Sequence, residues 1–434
     1  MTEKTKIDNV REVLMGTPKV NENQEPSRES PRFSFGCLLA DLVVGGDKNV
    51  LGIPAGVIIN LVGDKSAGKT FLKNELIAAS YHQRHGKGIK WFSDDTETGD
   101  TFNTSKLYGF DIHPDGRKIG THPVEDTHTV EELDGKISLF TNSLKPDEIG
   151  VYAVDSLDGL TDSVIEKMAA SREKQVADGA DEIKDKGDYG MKISKFLSGQ
   201  LFKHQHSALA SKNCLLIIVS QIRENIGAGL FAKKWKVSCG KALEFFCHTR
   251  IFLQSVKAIT TNGVQIGTVV KMSTFKSKTP RPYRSCYFTF YFTYGIDDIG
   301  SSLDYLYDLR SAEEFELVAS RCKSIPWDST TPCTLTSLRD WLKAENWDKE
   351  CSADKKSEGK GPQLSVDYIV EWAQKDETKK TSFSKTFGTA CTRDELISRI
   401  EKDPKMKKEL DHRVMAKWEE FEESIRVDRK GKYE

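Results

Sequence analysis

Between Phe33 and Arg310 the chain alternates short, nearly continuous apolar runs with stretches of helical periodicity. The runs Val57–Val62, Ile89–Phe92, Gly150–Val154, Leu215–Val219, Arg250–Leu253, Thr268–Met272 and Tyr287–Phe292 read as strands. Lys69–His85 and Lys192–Ser211 read as helices. Runs apolar on both faces, separated by helices, predict an α/β core around a mostly parallel central sheet. The last strands follow one another too closely for helical crossovers, which predicts an antiparallel extension at one edge.

The flanks differ from this core. Residues 1–32 are polar and hold Pro18, Pro26 and Pro31; a short helix over Lys6–Met15 and then an extended arm are expected, the arm either disordered or packed on a neighbouring subunit. Residues 311–434 shift toward charge and Trp, with a polar, Gly-containing linker near 349–362. Thr392-Arg393-Asp394-Glu395 is a capping-box sequence, and Leu396, Ile400, Leu410, Val414, Trp418 and Phe421 follow at near-helical spacing. A small, mainly helical C-terminal domain is expected, with these residues as its core.

Composition changes this picture little. The 434 residues are 38% hydrophobic and 30% charged, as in a soluble globular protein. No run approaches the roughly 20 apolar residues of a membrane helix, and the polar N-terminus has no secretory pattern, so a cytoplasmic location is expected. The nine cysteines include no C-x-x-C pair, which argues against a disulfide framework or a zinc site. His122, His128 and His204 show no metal-binding spacing either. A net charge of −1 gives no overall attraction to a polyanion, so any nucleic-acid binding needs a local basic surface.

The most specific chemistry is Gly63-Asp64-Lys65-Ser66-Ala67-Gly68-Lys69-Thr70, a complete G-x-x-x-x-G-K-T sequence between a strand and a helix. Such a turn wraps backbone N–H groups and a helix N-terminus around phosphate oxygens. Lys69 would bring a cation to the β- and γ-phosphates of ATP, and Thr70 a hydroxyl to Mg²⁺. Asp155, at the end of the Gly150–Val154 strand, would hold Mg²⁺ through water. Hydrolysis needs a carboxylate to polarise the attacking water, and Asp94, Asp95 and Glu97 cluster at one strand end. Asp95-Thr96-Glu97 suits the task best through Glu97, with the two aspartates as alternatives.

These pieces, in this order, resemble the RecA family of strand-exchange ATPases. The lead-in Ser34–Leu42 with Gly52–Gly56, the Asp95-Thr96-Glu97 motif and Val154–Leu160 are each similar to family segments. So are Ser220–Gly227 with Gly229–Phe231, then Gly240–Arg250, Phe275–Tyr283 and Tyr294–Ile296. The likeness spans about Phe33 to Leu309. It implies a RecA-like P-loop ATPase core, ATP and Mg²⁺ as cofactors, and a homo-oligomeric helical filament on single-stranded DNA that pairs with double-stranded DNA, served by loader or mediator proteins.

The resemblance also assigns roles. Gln221 would sense the γ-phosphate, Lys276 and Lys278 would reach a neighbour's ATP, and Phe245 would lie in the subunit interface. Two DNA-binding loops are implied, near 162–191 and 223–239. Met191 belongs to the first, with Lys203 on the following helix. Arg223, Ile226, Phe231, Lys233, Lys234 and Lys236 belong to the second, where cations surround an aromatic. The chain departs from the family in a charged enlargement around Glu166–Lys186, an insertion at Asp47–Leu51, and Ser238-Cys239-Gly240-Lys241 closing the second loop. The competing readings are a RecA-fold DNA motor of the helicase or branch-migration type, and a DNA-coating adaptor whose ATP is structural.

Overall fold

The computed structural model describes residues 31–46, 48–97, 99–114, 116–161, 195–224, 235–237, 240–307, 391 and 393–426. The expected helix at Lys6–Met15, the linker near 349–362 and the enlarged first loop lie outside them. The chain falls into two compact units, Met1–Pro31 and Arg32–Glu434, and every element below belongs to the second.

The strands are β1 (Arg32–Phe33), β2 (Ile53–Pro54), β3 (Ile58–Gly63), β4 (Ile89–Asp95), β5 (Lys118–Ile119), β6 (His122–Pro123) and β7 (Ile149–Asp155). They continue with β8 (Cys214–Glu224), β9 (Trp235–Val237), β10 (Thr249–Thr261), β11 (Val264–Ser277), β12 (Ser285–Tyr291) and β13 (Gly295–Asp297). The described helices are α1 (Leu38–Gly45), α2 (Lys69–Gln83), α3 (Thr104–Tyr108), α4 (Val130–Ser143), α5 (Phe202–Ser211), α6 (Gly240–Phe246), α7 (Asp298–Leu306), α8 (Arg393–Lys402) and α9 (Pro404–Ser424). A π-helical turn, Leu197–Leu201, leads into α5.

The main sheet runs β13-β12-β11-β10-β3-β8-β7-β4. Its β10-β3-β8-β7-β4 block is parallel throughout, while β11, β12 and β13 join antiparallel, the extension read from the close spacing of those strands. Alternation along the strands feeds two separate cores. Ile59 and Leu61 of β3, Val151 and Ala153 of β7, and Ile217 and Val219 of β8 face α1 and α2. Ile58, Tyr152, Val154, Leu216 and Ile218 face α4 and α5 on the other side. With helices on both faces, β3 and β7 are buried at every residue.

Helix α4 went unread in the sequence, although its start carries a legible signal. Thr129 accepts from the Glu132 amide, and Glu132 returns the bond to the Thr129 amide at 3.3 Å, a full capping box.

The C-terminal helices correct one expectation. Leu396, Ile400, Leu410, Val414 and Trp418 are buried, but they join the core that also holds α1, α2 and α7 instead of forming one of their own. Phe421, placed in the same stripe, is 48% exposed, because the stripe narrows toward the end of α9. Charges fix the docking. Arg284 donates to Glu422 at 2.7 Å and Arg281 to Glu419 at 3.1 Å. Lys417 donates to the carbonyls of Tyr305 and Leu306, neutralising the negative end of α7.

Candidate functional site

Strand β3 ends at Gly63, and the chain turns through 64–68 into α2. Two left-handed residues shape the turn, Ser66 at φ 62° and Gly68 at φ 86°. A Cβ on Gly68 would lie 2.8 Å from the Phe290 ring, and one on Gly63 only 2.4 Å from the Leu253 carbonyl. Both glycines are therefore required by close approach, and Gly68 by its left-handed conformation as well. Among the described residues no side chain caps α2 at Gly68, so the amides of its first turn can take an anion.

Lys69 folds over this turn and donates to the carbonyls of Gly63 and Asp64, at 3.0 and 2.7 Å. Burial lowers its pKa, and the charges of Asp155, Asp64 and Glu97 oppose that shift. The Thr70 hydroxyl donates to Asp155 Oδ2 at 2.7 Å. A hydroxyl and a carboxylate in contact beside open amides are the donor set that a phosphate-bound Mg²⁺ requires. The residues present thus fit the magnesium complex of a nucleoside triphosphate. Gly63–Lys69 would cradle its phosphates, and Thr70 and Asp155 would hold the metal.

The three acids at the end of β4 separate cleanly. Asp94 is fully buried on the face away from α2, where Tyr152 donates to it at 2.9 Å and Thr127 also bonds to it. Asp95 accepts the Asp100 amide at 2.8 Å. Glu97 reaches across to β8, where the Gln221 side-chain amide donates to both of its carboxylate oxygens at 3.1 Å. Ser156, following a cis peptide after Asp155, also bonds to Glu97, and Asp158 accepts the Gln221 amide at 3.1 Å. Glu97, Gln221, Ser156 and Asp158 form one connected group at the C-terminal ends of β4, β7 and β8.

Two features here escaped the sequence reading. An aromatic rim flanks the start of α2. Phe71 stacks on Phe290 at 4.6 Å and meets Phe102 edge-on at 5.8 Å, with Phe102, Phe292 and Tyr294 partly exposed. Exposed π-faces next to a phosphate-binding turn can stack a nucleobase. The Phe288–Tyr294 aromatic run was the available signal. The second feature is Lys73, wholly buried on α2, which the tripeptide around it gave no reason to single out.

Relatives agree with the geometry. The family model described as RecA N-terminal domain matches residues 148–297. Protein RecA of Helicobacter hepaticus is 29% identical over 273 residues, 63% of this chain and 69% of that one. Protein RecA of a Sulfurovum species is 28% identical over 279 residues, again 63% and 69% of the two chains. That of Anaplasma marginale is 26% identical over 281, covering 65% and 68%. The chain is thus similar to RecA proteins over about two thirds of its length, and its core has the RecA-like fold.

In this RecA-like fold β8 does not stop at Gln221. It continues through Ile222–Glu224 and pairs antiparallel with β9, with Arg223 opposite Lys236 and Glu224 opposite Trp235. The stem of the second expected DNA loop is therefore a two-stranded ribbon rising directly from Gln221. Ile226, Phe231, Lys233 and Lys234, in its tip, lie outside the described residues, as does Met191 of the first loop. Lys203 is exposed on α5, while Gln205 beside it is buried against Asp134 of α4.

Lys276 and Lys278 lie elsewhere. Leu253 of β10 pairs with Gly63 and Thr249 with Ile59, and β11 returns to set Ser277 opposite Thr249. The lysines thus sit at the opposite end of the sheet from their own phosphate turn, about 13 Å of strand away at roughly 3.3 Å per residue. Lys276 donates to the Glu244 and Phe245 carbonyls at the end of α6, the latter at 2.8 Å. Phe245 is 73% exposed there. Burial, with the charges of Lys278, Arg32 and Lys276, pushes the neighbouring His248 imidazole down to about 4. No helix among the described residues is long and apolar enough to cross a membrane.

Proposed function

We propose that this chain is an ATP-dependent recombinase of the RecA family: it assembles as a helical filament on single-stranded DNA and promotes pairing and strand exchange with a duplex, hydrolysing ATP between protomers. The observation that carries this reading is the Glu97–Gln221 hydrogen bond at the root of the β8–β9 ribbon. Gln221 can bond either to Glu97 or to a γ-phosphate above Lys69, and its backbone is continuous with the loop expected to hold DNA.

Bound Mg²⁺ would neutralise charge on the β- and γ-phosphates. The remaining work falls to the protein. Lys69 turns from the Gly63 and Asp64 carbonyls to the phosphates. Gln221 turns from Glu97 to the γ-phosphate, and that exchange frees the Glu97 carboxylate to orient water and accept its proton. The same exchange pulls on the ribbon stem, so the nucleotide's state is passed to the DNA loop. Lys276 and Lys278, out of reach of their own turn yet in a positively charged patch beside exposed Phe245, suit a neighbour's triphosphate.

A mixing experiment tests the assembly. Lys276→Ala/Lys278→Ala is expected to lower ATP turnover on single-stranded DNA by about 100-fold or more, as loss of a transition-state cation does. Protomers carrying Lys69→Ala should be inactive as well. An equal mixture should recover toward about a quarter of the wild-type rate, the share of head-to-tail interfaces joining an intact turn to intact lysines. A mixture no faster than its components would rule out catalysis across a protomer boundary.

A further inference from the structure

The buried ammonium of Lys73 lies one turn after Thr70 on α2. Its Nζ is 3.4 Å from Asp155 Oδ2, the oxygen that accepts the Thr70 hydroxyl, and 3.1 Å from Asp100 Oδ2. The side chains of Lys73, Asp100 and Asp155 are 0%, 1% and 11% exposed. Asn74 Nδ2 and His113 Nε2 both meet the same Asp100 oxygen at 2.9 Å. Burial alone would raise the Asp100 pKa, but these hydrogen bonds and the Lys73 charge outweigh it and hold the carboxyl far below its usual range. A lysine this deeply buried is costly unless its charge is compensated, and here two carboxylates share it.

We propose that Lys73 is a positioning residue for the metal site: a fixed internal cation that holds the Asp155 carboxylate ready for Thr70 and sets how strongly the site binds Mg²⁺, with Asp100 governing how much of that charge Asp155 feels. The inference rests on the nucleotide site proposed above and deepens it. In a poorly hydrated setting a unit charge in contact with Asp155 acts strongly on a divalent ion bound at the same carboxylate. Lys73 offsets part of the negative charge offered to Mg²⁺. Asp100 draws Lys73 toward itself and restores it. The two residues, salt-bridged to one another, should therefore shift Mg²⁺ affinity in opposite directions.

The test is a titration of Mg²⁺ against binding of a fluorescent N-methylanthraniloyl ATP, with circular dichroism to monitor folding. Lys73→Met should lower the half-saturating Mg²⁺ concentration by about fivefold or more, and Asp100→Asn should raise it by a similar factor. Lys73→Arg, which keeps the charge, should stay within about twofold of wild type. A merely structural ion pair would move Lys73→Met and Asp100→Asn the same way, toward weaker binding, and that result would overturn the proposal. If either single variant fails to fold, Lys73→Met/Asp100→Asn removes the charge imbalance and should still need less Mg²⁺ than wild type; an equal or greater need would also overturn it. Failure of the wild-type chain to bind the ATP analogue at any Mg²⁺ concentration would instead sink the nucleotide site itself.

Discussion

Glu97→Gln is expected to lower ATP turnover by about 100-fold or more while leaving nucleotide affinity within about twofold, the signature of a group needed only in the transition state. The substitution preserves shape and keeps an oxygen for the Gln221 amide and for Ser156, so the network at the ends of β4, β7 and β8 should stay assembled. What it removes is the negative charge that polarises water. A chain that binds ATP but cannot hydrolyse it should remain on single-stranded DNA, so release on ATP exhaustion should slow in step with turnover. Single-turnover hydrolysis and filter binding would measure both. Turnover within a few-fold of wild type would remove Glu97 from the chemistry. Asp94 could not then take its place, since it is buried against Tyr152 and Thr127 on the opposite face of the sheet.

Lys69→Ala is expected to weaken nucleotide binding by about 100-fold, as loss of charge-assisted hydrogen bonds to the phosphates implies. The fold should survive. Among the described residues Lys69 Nζ bonds only to the carbonyls of the turn itself, and the turn is shaped by Ser66, Gly68 and the packing of Gly63 on β10. Equilibrium binding of the ATP analogue, with thermal unfolding as a control, separates the two. An unchanged affinity in a folded variant would mean that the triphosphate lies elsewhere.

The parts of this account that were legible in the sequence are those written in local patterns. The turn of residues 63–70 declares itself because its chemistry needs glycines, a lysine and a threonine at fixed spacing. The parallel block was readable because strands covered on both faces must be apolar almost throughout. Strand length was not. Leu215–Val219 grew into the eleven residues of β8, because Ser220 and Gln221 still pair with β3 and Ile222–Glu224 run on to pair with β9, and long-range pairing leaves no periodic trace. The choice among Asp94, Asp95 and Glu97 depended on which face of the sheet each carboxylate takes. Lys73 was invisible for a related reason. A lysine on a helix ordinarily reads as a solvated charge, and only the tertiary meeting of α2 with Asp100 and Asp155 makes it an internal cation.

The C-terminal stripe teaches a similar lesson. Its spacing correctly marked α8 and α9 as helices with an apolar face, but spacing cannot say against what that face packs. It rests on the core beside α7, tied by Arg281 and Arg284 to the turn that follows the paired lysines.

The central claim is that the Glu97–Gln221 contact joins ATP chemistry to the DNA-holding ribbon, and the ATPase rate with and without single-stranded DNA tests it most directly. For the wild-type chain, DNA should raise the rate by about tenfold or more, whereas Gln221→Ala should bind the ATP analogue normally and hydrolyse at one slow rate whether or not DNA is present. A Gln221→Ala chain still stimulated by DNA to the wild-type extent would contradict the coupling, and a wild-type chain indifferent to DNA would contradict the recombinase reading as a whole.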